Sequence, residues 1–348
     1  MTGVDVVVPC YRYGEYLPTA VRSVLDQPGV DVRVLIIDDA SDDGSGEVAQ
    51  SLASSDERVE AVVHTQNRGH LATFNEGVVD WASAELTLLM SADDALTPGA
   101  LGRAAALFDE HPGVGLVYGA AITYRGGPLP PARLGPVQHV VHPGHAWLRG
   151  RFAAATNVVS SPAAVTRTAV NRQVGGYDQR LRHTSDHEMW MRLALVSDVG
   201  FVRGADQAYW RTHDVNMHTA YLAGGGVEDL REVLRAHDAV LEKAALGGLS
   251  DGDELARTVR RRLARDAYLR AARAHDRGRV EADGADALIA FAEEIVEDTR
   301  TLPERRAYEL RQLVGPTVTR SLGPVLPTAA GRRLRQRWRD RRRERIGV

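Results

Sequence analysis

Val32-Arg33-Val34-Leu35-Ile36-Ile37-Asp38-Asp39-Ala40-Ser41-Asp42-Asp43-Gly44-Ser45 is the stretch that decides the fold. A β-branched run of strand length ends abruptly on two carboxylates and a turn-forming cluster of Asp, Ser and Gly. Glu47–Leu52 then resumes with helical spacing. The same rhythm extends in both directions. Upstream, Val4–Val8 reads as a strand and Tyr16–Leu25 as a helix with Leu17, Ala20, Val21, Val24 and Leu25 on one face. Downstream come a strand at Val59–Val63, a helix at Leu71–Trp81 and a strand at Leu86–Met90, which ends on Ser91-Ala92-Asp93-Asp94. Leu101–Phe108 is helical and Gly115–Tyr118 strand-like. Strand, helix, strand at this spacing predicts an α/β fold with a mostly parallel sheet covered on both faces. Such sheets bind ligands outside the carboxyl ends of their strands, and four successive strand ends here carry polar clusters: Pro9-Cys10-Tyr11, Asp38-Asp39, Asn67-Arg68-Gly69 and Asp93-Asp94.

A chain of 348 residues holds one large domain or two. With 44% apolar and 26% charged residues it is neither a disordered chain nor a disulfide mini-protein. No apolar run reaches the ~18–20 residues that span a bilayer, and Met1–Val8 lacks the marks of a secretory signal. Cys10 is the only cysteine, which excludes an internal disulfide and a multi-cysteine zinc site. The expected address is cytoplasmic. Residues 125–150 are rich in Pro and Gly and predict a loop or insertion. Residues 226–300 predict helices, and Pro303, Pro316, Pro324 and Pro327 break the chain ahead of its last stretch. From Arg332 to Arg345 nine arginines face Asp340 and Glu344, a net of +7, so the rest of a chain whose total is −3 carries −10.

Several of these residues could carry chemistry. Two adjacent carboxylates, Asp93 and Asp94, are costly unless a cation neutralises them, and oxygen ligands suit Mg²⁺ or Mn²⁺; the competing reading is that Asp94 or Thr97 caps a helix starting at Pro98. Asp38 and Asp39 could accept hydrogen bonds from a nucleotide base or ribose, or could simply build a turn. Asp186, near the start of a helix carrying Trp190 and Arg192, is a helix cap or a general base towards an alcohol. Arg192 is a phosphate contact or an ion-pair partner. Arg211 and His213 can both donate to a diphosphate, although a lone histidine is more often structural.

The motifs occur in an ordered series. Val6-Val7-Val8-Pro9-Cys10-Tyr11, the segment Tyr16–Gln27 and Ile37–Ser45 are followed by Asn67-Arg68-Gly69, Asn75-Glu76-Gly77 and Ser91-Ala92-Asp93-Asp94. Gly175-Gly176-Tyr177-Asp178, Thr184–Leu193 and Tyr209-Trp210-Arg211-Thr212-His213 complete it. Across about residues 3–218 this resembles a family 2 glycosyltransferase of the GT-A fold. The resemblance implies inverting transfer of a sugar from a nucleotide-diphosphate donor (UDP-, GDP- or dTDP-linked) to a hydroxyl of a saccharide, a lipid-linked saccharide or a small metabolite, with a divalent metal, Mn²⁺ or Mg²⁺, as cofactor. It implies a Rossmann-like mixed sheet flanked by helices, with residues 1–220 catalytic (nucleotide-sugar half about 1–120, acceptor half about 121–220), 221–330 a helical extension and 331–348 an Arg-rich tail. By the same resemblance Pro9, Tyr11, Asp38, Asp39, Asn67, Arg68, Ser91, Ala92, Asp93 and Arg211 surround the nucleotide sugar. Asp93 becomes the main metal ligand with Asp94 beside it and His213 as a further ligand, and Asp186 the general base. The family's acidic motif often begins with an Asp two positions before the metal-binding one. Here that position is Ser91, which leaves either weak metal affinity or a cation held mainly by Asp93, diphosphate and water.

Two rival functions remain open. A sugar nucleotidyltransferase would carry a Gly-rich basic loop after the first strand, where this chain has Pro9-Cys10-Tyr11-Arg12-Tyr13-Gly14. A catalytically silent nucleotide-sugar-binding protein is the other. For the helical region the sequence leaves open an acceptor site or a homodimer interface. The Arg-rich tail could be a solvated charge run or could meet the inner face of an anionic membrane. With only Trp338 among the arginines and no reading motif, nucleic acid is not an expected partner.

Overall fold

The computed structural model describes residues 1–213, 226–322 and 345–348, with side chains described to residue 315 in the second stretch. Nine strands form one mixed sheet: β1 (Thr2–Cys10), β2 (Val30–Asp38), β3 (Val59–Val63), β4 (Leu86–Leu89), β5 (Ala95–Leu96), β6 (Val114–Tyr124), β7 (Leu134–His142), β8 (Val165–Arg167) and β9 (Asp198–Arg211). The order is β3-β2-β1-β4-β8-β6-β9-β5, with β7 also on β9. β3, β2, β1 and β4 run parallel. β8 is antiparallel to both β4 and β6, whereas β6 and β9 pair parallel. The helices are α1 (Leu17–Leu25), α2 (Ser45–Ser55), α3 (His70–Asn75, continued by a π-helical turn at Glu76–Trp81), α4 (Ala100–Glu110), α5 (Gly144–Ala154), α6 (Thr168–Val174), α7 (Ser185–Val196), α8 (Val227–Glu242), α9 (Gly252–Asp276), α10 (Ala285–Ile295) and α11 (Pro303–Leu322).

The central strands are buried on both faces, and their alternation sorts them. Val6, Val8, Val34, Ile36 and Leu88 pack with α1 and α4. Val7, Leu35, Ile37 and Leu89 face the opposite layer with Val78 and Tyr177. Each such side chain contributes roughly 1.5–3 kcal/mol by leaving water. The second layer runs without interruption into the helical region: Trp147 and Phe152 of α5 share a core with Leu230, Leu263 and Tyr268 of α8 and α9.

Three local expectations are corrected. Of the loop or insertion expected at residues 125–150, the loop is excluded, because β7 and the start of α5 lie there. Pro136 interrupts the apolar pattern, but β7 is an edge strand and can do without its N–H. The helix expected from Pro98 begins at Ala100 after Gly99 in the left-handed region (φ 76°), so neither Asp94 nor Thr97 caps it. Pro9 and Cys10 end β1 rather than following it. Most of the Arg-rich tail, through residue 344, lies outside the described residues.

At the junction of α5, α7 and α8 sits a buried histidine pair. His187 and His237 meet edge to face at 5.1 Å, and Phe152 covers His237 at 4.7 Å. His237 Nδ1 donates to the Val233 carbonyl at 2.7 Å. The Nε2 atoms of both rings have no partner among the described residues. Burial lowers both pKa values, to about 4 for His237 and well down for His187, with Arg151 adding to the effect. The unfolded histidines protonate near 6.5 and the folded ones resist, so this packing stabilises fully above pH ~6.5 and loses its effect as pH falls towards 4. For His237 alone the loss is on the order of 3 kcal/mol. The melting temperature is expected to fall over that interval, and His237→Leu to flatten the fall; a parallel decline in both proteins would contradict this.

Candidate active site

The loops after β1 and β2 are built on each other. Asp38 ends β2, and its carboxylate accepts from Ser41 N at 3.0 Å and Ser41 Oγ at 2.6 Å. Arg12 N donates to the same Ser41 hydroxyl at 2.8 Å, and Gly14 N to Ser45 Oγ at 2.8 Å. Arg12 and Ala40 both take left-handed φ values, 59° and 60°, which are costly for residues with a Cβ. Two such residues side by side mark a rim whose shape is over-determined by its hydrogen bonds. Tyr11, 45% exposed, projects from it. Cys10 is buried, and burial pushes its thiol up to about 11, so it stays protonated.

Asp39 organises the loop after β3. Its carboxylate accepts from Arg68 N and Gly69 N, both at 2.8 Å, and from His64 Nδ1 at 2.8 Å. Burial acts to raise its pKa, but these N–H donors win and hold it below the ordinary carboxylate range. His64 Nε2 and Arg68 Nη1 both reach Glu76 Oε2 at 3.0 Å, within the π-helical turn. Asn67 Nδ2 donates to the Asp39 carbonyl at 3.0 Å. The acid pair thus serves first to fix two loops.

Asp93 and Asp94 follow β4 and are almost fully buried. Burial raises both pKa values, and the charge of Asp93 pushes Asp94 further. They face different partners. Asp94 Oδ1 accepts the backbone N–H of Arg211 at 2.9 Å. Asp93 Oδ2 lies 3.3 Å from His213 Nε2, which is also 2.9 Å from Tyr13 Oη. Arg211 donates from Nε to the Asp93 carbonyl at 3.1 Å. Its guanidinium is stacked between Tyr16 at 4.5 Å and Tyr124 at 4.6 Å. Ser91 and Ala92 complete the turn, with Asp94 N donating to the Ser91 carbonyl. Among the described residues no three His, Cys, Asp or Glu side chains gather as a metal cluster. Asp93 and His213 nonetheless bring a carboxylate oxygen and an imidazole nitrogen to 3.3 Å from each other. That pair fits a divalent cation taking its other ligands from diphosphate and water.

Asp186 is the second residue of α7. Its Oδ2 accepts from Asn157 Nδ2 at 2.9 Å and Ser161 Oγ at 3.3 Å, and its Oδ1 from His187 N at 2.7 Å. Burial raises its pKa against the pull of these donors and of His183. Two contacts run from its surroundings towards the other acidic stretches. His70 Nε2 bonds the Arg182 carbonyl at 3.1 Å, which ties the loop before α7 to the Asp39–Gly69 loop. The short turn Ser161–Ala163 packs against β4, β5 and β9, whose ends carry Asp93 and Arg211. Tyr13, Tyr16, Tyr124, Asn157 and Ser161 were not singled out from the sequence. Tyr16 opens one of the motifs but had no role there, and the contacts of all five become visible only when remote loops meet.

Other motifs prove to be framework. Asn75 clamps Tyr177 through two bonds, Nδ2 to the Tyr177 carbonyl at 2.9 Å and Oδ1 from Tyr177 N at 2.6 Å. A Cβ at Gly176 would stand 2.2 Å from Asn75 Oδ1. Arg192 is an ion-pair partner, not a phosphate contact: it is 2% exposed, 2.9 Å from Glu188 Oε2, and it donates to the carbonyls of Val174, Gly175 and Gly176. Arg192→Met is expected to destabilise by about 3–5 kcal/mol in urea unfolding, because Glu188 stays buried with only Lys243 opposite.

The model of the family described as Glycosyl transferase family 2 matches residues 5–155. Glycosyltransferase GlyG of Streptococcus pneumoniae is 33% identical over 91 residues, 26% of this chain and 30% of that protein. The chain spans less than two thirds of the length of the first curated relatives it matches. Among solved structures, S. aureus TarS residues 1–349 in complex with UDP-GlcNAc align with a TM-score of 0.55 at 16% identity, covering 84% of this chain and 91% of that one. Mannosyltransferase PcManGT from Pyrobaculum calidifontis, in complex with GDP-Man and Mn²⁺, aligns with a TM-score of 0.51 at 15% identity, covering 91% and 86%. At these identities the structures establish a shared GT-A fold.

Proposed function

From a chain whose residues 5–155 match the model of glycosyl transferase family 2, we propose an inverting glycosyltransferase that moves a sugar from a nucleotide-diphosphate donor to a hydroxyl of a saccharide, free or lipid-linked. One observation carries the reading. His70 bonds the Arg182 carbonyl and so joins the Gly69 loop to the segment before Asp186, Ser161 bonds Asp186 from a turn that packs on β4, β5 and β9, and Asp93 meets Arg211 and His213 at the ends of those strands, which supports one shared cleft. UDP-GlcNAc and GDP-Man in the two aligned structures support a nucleotide-sugar donor.

In this reading the nucleotide lies along Pro9, Tyr11 and the loops fixed by Asp38, Asp39, Asn67 and Arg68, with the diphosphate towards Ser91-Ala92-Asp93. A divalent cation held by Asp93 and His213 would supply Lewis-acid stabilisation of the leaving nucleoside diphosphate. Tyr13 Oη lies 2.9 Å from this same His213 Nε2, a contact that the cation would displace. Arg211, held flat between two tyrosines, presents its positive charge to the departing anion without reorganising. Asp186 takes the proton from the attacking hydroxyl. Attack from the face opposite the diphosphate inverts the anomeric centre.

The test is product analysis with UDP-, GDP- and dTDP-sugars, with and without Mn²⁺ or Mg²⁺. Release of nucleoside diphosphate with one donor, dependent on the cation, is the expected result. Pyrophosphate release would instead identify a nucleotidyltransferase, and no turnover alongside tight donor binding would identify a silent binding protein. A melting temperature raised by donor only with cation would report the same site without turnover.

A further inference from the structure

Three neighbouring strands and one helix shape a slot that a short peptide fills. Tyr118 of β6, Phe201 of β9 and Val140 of β7 stand side by side in register. Trp147 of α5 meets Tyr118 edge to face, and its Nε1 donates to Tyr118 Oη at 3.2 Å. Residues 345–348 are seated on this surface. Tyr118 Oη donates to the Gly347 carbonyl at 2.5 Å across 229 positions of sequence, and His142 Nε2 to the Ile346 carbonyl at 2.7 Å across 204. Val348 packs against the core layer that holds Tyr118, Trp147 and Phe201.

The fit selects glycine. Gly347 is buried, and its φ of 78° lies in the left-handed region. A Cβ there would stand 2.6 Å from Phe201 Cγ, well inside contact distance. A segment held by apolar collapse alone would tolerate any small residue at this point. Here a tyrosine hydroxyl and an imidazole hold two consecutive backbone carbonyls, and the glycine position admits no side chain. Main-chain hydrogen bonds that give affinity, with side-chain space that gives selectivity, are how a receptor surface recognises a peptide. The contacts are also few. Two hydrogen bonds and one packed valine can be given up without unfolding the strands beneath.

We infer that this surface of β6, β9, β7 and α5 is a peptide-binding slot specific for the sequence Ile346-Gly347-Val348, filled by the protein's own segment and able to release it. The inference is independent of the sugar-transfer reading, and its experiment involves no donor. A variant lacking residues 346–348 is expected to melt about 4 °C or more below the parent, the scale of two hydrogen bonds and an apolar side chain. Its melting temperature is expected to climb back towards the parental value as a peptide of residues 345–348 is titrated through ~1 mM, the order of the effective concentration a tether provides. The peptide is expected to leave the parent unchanged, because its slot is filled. The same peptide with alanine for glycine is expected to restore nothing. Gly347→Ala in the full chain is expected to lower the melting temperature as the deletion does, and to be rescued by the glycine peptide. A deletion variant that melts with the parent, or one rescued equally by the alanine peptide, would overturn the inference. So would an early-melting deletion variant that the glycine peptide fails to restore, since the contact would then be fixed framework rather than a binding site.

Discussion

Asp186→Asn is expected to lower the transfer rate by ~10²–10⁴-fold, the usual contribution of a positioned base, while the affinity for the nucleotide-sugar donor is kept. The argument is local. The carboxylate is gripped on both oxygens, by Asn157 and Ser161 on Oδ2 and by His187 N on Oδ1. These donors fix its direction without neutralising it, and burial raises its proton affinity above that of an ordinary aspartate. A carboxylate so held is a better base than one in water, and its protonation sets an acidic limb in the rate. As pH falls through the raised pKa the base is lost and transfer falls with it, at a higher pH than a free aspartate would give. The asparagine variant keeps the volume but must place its amide against one of the donors, a cost of roughly 1–3 kcal/mol in stability. Rate at saturating substrate and donor affinity are therefore measured separately. Transfer at the parental rate, or an unchanged acidic limb in the variant, would remove Asp186 from the role.

Much of the frame was legible because of how parallel strands are buried. Covered on both faces, Val4–Val8 and Val32–Ile37 show as unbroken β-branched runs, and each ends where polar residues begin. Strand β7 was not legible. It lies at an edge, much of it exposed, and Gly135-Pro136 reads as a turn. The acid pairs show a different limit. Asp38-Asp39 and Asp93-Asp94 look alike as sequence, since a carboxylate that closes a turn and one that meets a ligand use the same lone pairs. Only the fold reveals that Asp38 is occupied by Ser41 and Asp39 by the Arg68–Gly69 backbone. Asn157, Ser161 and Tyr13 were silent because their partners are 29, 25 and 200 residues away. A role defined across such separations leaves no local pattern.

The same contrast yields the second large effect, within one dipeptide. Asp93→Asn is expected to reduce transfer by ~10²–10³-fold, the scale of losing one electrostatic contact to a developing anion, and to abolish the rise in melting temperature that donor and Mn²⁺ give together. Asp94→Asn is expected to do far less. Asp94 accepts the Arg211 backbone N–H through Oδ1, and an amide oxygen accepts that bond equally well. Asp93 has no such substitute, because its Oδ2 faces His213 and the family's preceding acidic position is Ser91 here. Two adjacent buried carboxylates repel, so removing either charge relieves that repulsion, and the melting temperature without ligand separates misfolding from loss of the cation. Donor-dependent protection lost in one variant and retained in the other, at equal melting temperature without ligand, assigns the cation to Asp93. Equal losses in both variants would show that the pair acts as one acidic unit and that the separation of roles drawn from Arg211 and His213 is wrong.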